Sequence, residues 1–232
     1  MPDGELPAGR RAMPAVHLSH PAAPEDKDPI SPAAVRILQR RYFFMKKLLA
    51  LISDSYHEFK HVSTITTCAM FGAMSIVLNQ LATIRVTPNL KIGFGALPNE
   101  LVDYLFGPVV GSLFGGGMDI IKFMLKPDGG FMPGFTFNAM LAAFIYGLFL
   151  YKKPLSLKRM LAAKLVVAVL CNILLGTLWL SMINGKGYLA LLPARAVKNL
   201  IQWPVDSLIF VLVAKTLEQA GVFRLVRRQH QS

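Results

Sequence analysis

The sequence predicts an all-α, polytopic membrane protein: a six-helix transmembrane bundle entered through a short amphipathic helix. Three observations predict it. Of 232 residues, 53% are hydrophobic and 16% are charged, where an ordinary soluble domain carries about 25% charged residues. The apolar residues gather into six runs separated by breaks that contain Pro or Gly, most of them long enough to cross a bilayer as helices. Lys and Arg fall unevenly on the connections between those runs, as they do when short cytoplasmic loops retain positive charge. The runs are continuous rather than alternating, which excludes a transmembrane barrel.

Residues 1–44 are rich in Pro, Ala and Gly and show no period; they read as disordered or, if translation starts at Met45, as an over-called extension. No apolar core follows their basic residues, so they are not a signal peptide. In 45–62, Leu48, Leu49, Ile52, Tyr56 and Phe59 recur at helical spacing between charged residues, the pattern of a helix on the membrane surface or of an ordinary cytosolic helix. The six-helix domain, 63–216, then comprises Ser63–Ala82, Ile92–Phe106, Val109–Lys126, Phe135–Tyr151, Met160–Ile183 and Leu189–Lys215. The second run is short and carries Glu100 and Asp103, and Gly107-Pro108 separates it from the third. Residues 217–232 form a basic tail.

With six crossings, seventeen Lys and Arg fall on the side of the amino terminus, the loop Tyr151–Arg159 and the tail; seven fall on the other side, and Lys164 lies inside the fifth span. Both termini are therefore expected in the cytoplasm of a cell-membrane protein, with outward connections at Thr83–Lys91, Pro127–Gly134 and Asn184–Tyr188. The net charge of +12 is accounted for by this orientation and the lipid bilayer, not by nucleic acid. Cys68 and Cys171 lie in apolar runs without metal-ligand spacing and read as small core residues.

The polar residues inside the spans carry the functional signal, because charge in lipid persists only when it faces a bundle interior, a wet cavity or a ligand. In the sixth span Arg195, Lys198, Asn199, Gln202 and Asp206 share one helical face. Arg195 and Lys198 suit a carboxylate; the alternative is an internal ion pair, for instance Arg195 with Asp119. In the third span Asp119 and Lys122 are three apart: they pair with each other, or Asp119 accepts hydrogen bonds from a heterocycle. Phe131, Phe135 and Asn138 belong to an aromatic outward stretch that suits a flat ring or an interfacial belt. Asn172 and Trp179 share a face of the fifth span. Ala69, Gly72 and Ala73 form a small-residue surface for close helix packing, within the chain or against another subunit. The glycines at 111 and 115–117 have the same packing character; no GxxxxGK[ST] phosphate loop is present. All five histidines lie outside the bundle, and no catalytic or metal-ligating constellation and no cofactor motif emerges.

Across roughly 50–220 the chain resembles the substrate-binding S components of energy-coupling factor vitamin transporters, and is most similar to their folate-specific branch. The resemblance rests on AMFGA at 69–73, TIRVTPNLKIGF at 83–94, YLFGPVVG at 104–111, FMPGFTFNAMLAAFIYGLFLYKK at 131–153 and NGKGYLALLPARAVKNLIQWP at 184–204. The first and third recur across many S components; the last two are more specific to the folate branch. The resemblance implies six helices, an outward vitamin pocket, no hydrolytic activity, and docking of the 69–73 face onto a membrane coupling subunit driven by two ATPase subunits. Arg85 and Phe94, near the two ends of the 83–94 stretch, are further candidate substrate contacts. Folate, with a flat pterin and a glutamate tail, complements the aromatics near 131–137 and the cations at 195 and 198. Asn99, Glu100 and Asp103 depart from the family pattern. The rival expectations are another vitamin or a folate precursor as cargo, a stand-alone secondary transporter, and a non-transporting scaffold.

Overall fold

The computed structural model describes residues 32–81, 83–87, 90–127, 130–185 and 187–221, with backbone alone for 32–34, 83–87 and 90–93. The chain divides into two units, Met1–Tyr42 and Phe43–Ser232. The described part of the first is the opening of helix α1, Pro32–His57, so helix starts at Pro32 where the sequence suggested disorder up to residue 44.

In the second unit α1 runs to His57, and α2, Val62–Leu81, makes the first crossing. A two-stranded antiparallel hairpin follows: β1, Thr83–Thr87, pairs with β2, Leu90–Gly93, with Ile84 opposite Ile92 and Arg85 opposite Lys91. The expected outward loop is thus a β-ribbon, and Ile92 belongs to a strand rather than to the second span. A 3-10 turn, Phe94–Ala96, leads into α-helix at Leu97.

Helix α3, Leu97–Leu125, is two helical arms broken at Gly107, which has φ 86°, ψ −170°, a conformation that only glycine adopts without strain. Lys122 Nζ donates to Gly95 O at 3.0 Å. In a straight helix these residues would be about 40 Å apart at 1.5 Å per residue. The helix therefore doubles back at Gly107 into arms 97–106 and 108–125, and Asp103 lies against Gly111 across the turn. Pro108, which lacks the N–H that a first helical residue cannot use, opens the second arm.

Ser55 closes this turn from outside. Its buried hydroxyl donates to Phe106 O at 2.7 Å and accepts from the Val109 and Val110 N–H groups at 3.0 and 3.3 Å. An N-cap side chain normally does this for its own helix; here α1 supplies it to another. The Tyr151 ring covers Gly107, and Tyr151 donates to Glu58 Oε1 at 3.2 Å. Burial, then the charge of Glu58, holds that phenol well above its ordinary pKa.

Helix α4, Pro133–Leu150, packs closely on α3 because Gly115 meets Ala139 and Ala143, Gly116 meets Met140, and Gly147 meets Pro108. The fifth crossing, Leu157–Asn184, consists of α5, Leu157–Val167, a π-helical stretch, Ala168–Leu175, and α6, Gly176–Asn184. The last is α7, Tyr188–Gln219, with Pro193 and Pro204 inside it. Five helical stretches are thus long and apolar enough to cross a membrane; with α3 divided into two arms, the bundle after α1 has six helical segments. The core joins Phe71, Leu101, Val102, Phe106, Val110, Met160 and Phe210. Exposed apolar rows, such as Val197, Leu200, Ile201, Val205, Leu208 and Leu212 on α7, are what a bilayer accommodates.

Candidate functional site

Between α3, α4, the fifth crossing and α7 lies a cavity of about 430 Å³, within the size range of small-molecule sites. The whole stripe read from the sixth span, Arg195, Lys198, Asn199, Gln202 and Asp206, lines it, because helical spacing puts all five on one side of α7.

The cavity has two chemically distinct ends. Arg195, Lys198, Asn199 and Asn172 form the first. Arg195 makes no ion pair among the described residues; its Nη1 donates to Asn172 O at 3.2 Å. Asn199 is steadied by its own helix, donating to Arg195 O at 2.9 Å. The second end contains Asn99, Glu100, Asp103, Tyr146, Lys164 and Asp206. Glu100 and Lys164 form a buried ion pair at 2.9 Å, each side chain under a tenth exposed. Glu100 Oε2, Asp103 Oδ1 and Asn99 Oδ1 are buried without a hydrogen-bond partner among the described residues. Such acceptors are costly unless something donates to them. Along α7, Arg195 and Asp206 are separated by about 16 Å at the helical rise, so the cavity is elongated, cationic at one end and rich in acceptors at the other.

A family model, "ECF transporter, substrate-specific component", matches residues 63–214. The chain belongs to this family. Among relatives of this S component is the folate transporter FolT of Clostridium novyi, 32% identical over 169 residues that cover 73% of this chain and 98% of the relative. FolT of Leuconostoc mesenteroides is 32% identical over 144 residues, 60% of this chain and 77% of that one. Among solved structures, that of FolT bound with folic acid matches with a TM-score of 0.57 and 33% identity, covering 65% of this chain and 90% of the other.

In this S component Arg195, Lys198, Asn199 and Asn172 come together as cavity lining. Asn138 and Trp179 meet, Trp179 Nε1 donating to Asn138 Oδ1 at 3.4 Å, while Asn138 also donates to Cys171 O at 2.8 Å. They buttress the cavity without lining it. Several other expected contacts lie elsewhere. Asp119 Oδ2 accepts from Thr136 at 2.8 Å and Lys122 is drawn to Gly95 O, so Asp119 pairs neither with Lys122 nor with Arg195. Phe131 is half exposed and tilts against Phe123 at 5.1 Å. Phe135, near the start of α4, does not line the cavity. Phe94 lines a recess of about 20 Å³ shared with Glu100, Lys164 and Asp206. The Arg85 side chain lies outside the described residues. On α2, Ala69 and Ala73 are exposed on one face, but Gly72 turns inward against Met118 and Phe114.

The sequence reading named Glu100 and Asp103 only as departures from the family pattern and left Lys164 out of the site. Their signal was present: two acids in an otherwise apolar run and a lysine in the middle of another are buried charges that need partners. Which partners could not be known before the spans were packed.

Proposed function

We propose that this S component captures a folate at an outward-facing pocket and hands it to a membrane coupling subunit driven by two ATPase subunits. The observation that carries the cargo assignment is the division of the cavity, with Arg195 and Lys198 at one end and Asn99, Glu100, Asp103 and Asp206 at the other. Folate presents the matching groups: carboxylates on its glutamate tail for Arg195 and Lys198, and ring N–H and amino donors on its pterin for Asn99, Glu100 and Asp103. Lys164 holds Glu100 in place through their 2.9 Å ion pair. The folate transporters among its relatives support the same cargo, and family membership supports the ATP-driven partners. The bias of Lys and Arg supports cytoplasmic termini. The exposed Phe43, Phe44, Met45, Leu49 and Tyr56 of α1 suit a helix in the membrane interface.

Equilibrium binding of folic acid to the full chain in detergent tests this. A sub-micromolar Kd is expected, and R195A should weaken it at least about tenfold while leaving the protein folded, as for a lost hydrogen bond to a charged group. Failure to bind folic acid at that level, or displacement of folate by a different vitamin at lower concentration, would overturn the cargo. ATP-independent uptake by the chain alone in proteoliposomes would favour a secondary transporter instead.

A further inference from the structure

The π-helical stretch Ala168–Leu175 faces the cavity. A π turn spaces its hydrogen bonds by five residues, so its carbonyls lose their regular α-helical geometry, and such turns concentrate at functional sites. Two of its carbonyls receive side chains from other helices. Asn138 Nδ2 donates to Cys171 O at 2.8 Å, and Arg195 Nη1 donates to Asn172 O at 3.2 Å.

Gly176 sits beside both. A Cβ there would lie 2.9 Å from Arg195 Nη1, 3.0 Å from Cys171 O and 3.7 Å from Asn138 Nδ2. Yet Gly176 has φ −64° and ψ −32°, ordinary helical values that any residue adopts. Glycine is a poor helix former, and the chain conformation does not ask for one here. What this position uses is the empty space where a side chain would be, and the Arg195 guanidinium occupies its edge.

We propose that Gly176 is a positioning residue for the anion-binding end of the cavity. By leaving room for the guanidinium against the π turn, it lets Asn172 O hold Arg195 beside Lys198 and Asn199, ready for a carboxylate. Gly176 acts through Arg195, so it bears on ligands according to whether they carry an acidic tail. The tail assignment rests on the folate reading; the coupling between Gly176 and Arg195 does not.

The test uses the full chain and its G176A, R195A and G176A/R195A variants. Binding of folic acid is compared with that of 6-hydroxymethylpterin, a head without the tail. G176A is expected to weaken folic acid about tenfold, the scale of a charged hydrogen bond lost, and to leave 6-hydroxymethylpterin unchanged. On the R195A background it should add nothing, since directly coupled residues are not additive. Equal loss for both ligands, or a full further loss in the double variant, overturns the proposal. If the unsubstituted chain binds neither pterin, the folate reading fails by itself. Thermal unfolding then reads the coupling, as it does if G176A folds poorly. G176A should lower Tm when Arg195 is present and not when it is Ala; equal lowering on both backgrounds overturns the proposal.

Discussion

Lys164 shows how one residue can tie stability to the site. It is the partner of Glu100 inside the bundle, and both side chains are almost fully buried. Removing one member of such a pair leaves an uncompensated charge, typically at a cost of about 3–5 kcal/mol. K164M should therefore lower stability by about that much in a thermal or denaturant unfolding series in detergent, and the E100Q/K164M double variant should recover most of it. Equal stability of K164M and the unsubstituted protein would mean that Glu100 has another partner. Arg195 is the opposite case. Its guanidinium touches a backbone carbonyl and makes no ion pair among the described residues, which is why the proposed reading assigns it to a guest carboxylate. In sequence both are simply cations inside apolar runs; the distinction comes from what each meets.

The element that organises the bundle is the α3 hairpin. Its turn combines a glycine at φ 86° with a proline and a cap supplied by Ser55 of α1. Removing a helix-capping side chain usually costs about 0.5–2 kcal/mol, so S55A should destabilise by that order. G107A should cost more, because alanine is strained at that φ and its methyl would sit 2.8 Å from the Tyr151 ring. Chemical denaturation in detergent ranks the two, and G107A as stable as S55A would argue against strain at the turn. Gly107-Pro108 was legible in sequence as a break. That the two arms fold back on each other, with Asp103 against Gly111, was not, because a Gly-Pro pair marks an interruption without fixing the angle that follows.

For the molecule as a whole, the α2 face bears on assembly. Ala69 and Ala73 are exposed together, whereas Gly72 is committed to Met118 and Phe114. If the exposed face docks the coupling subunit, A69W or A73W should block co-purification with that subunit and ATP-driven uptake while sparing folate binding. Uptake that survives both substitutions would place docking elsewhere. Composition and the spacing of apolar runs determined the membrane class, the helical bundle and the polar face of α7, because a helix of fixed period in lipid leaves buried charge few places to go. Only the tertiary structure decided that Asp119, Lys122 and Phe131 stand apart from the cavity, that Glu100, Asp103 and Lys164 enter it, and that the connection after α2 is a β-ribbon. Periodicity assigns a residue to a face of its own helix; what that face meets depends on how neighbouring helices rotate and approach, and those choices are made by contacts far apart in the chain.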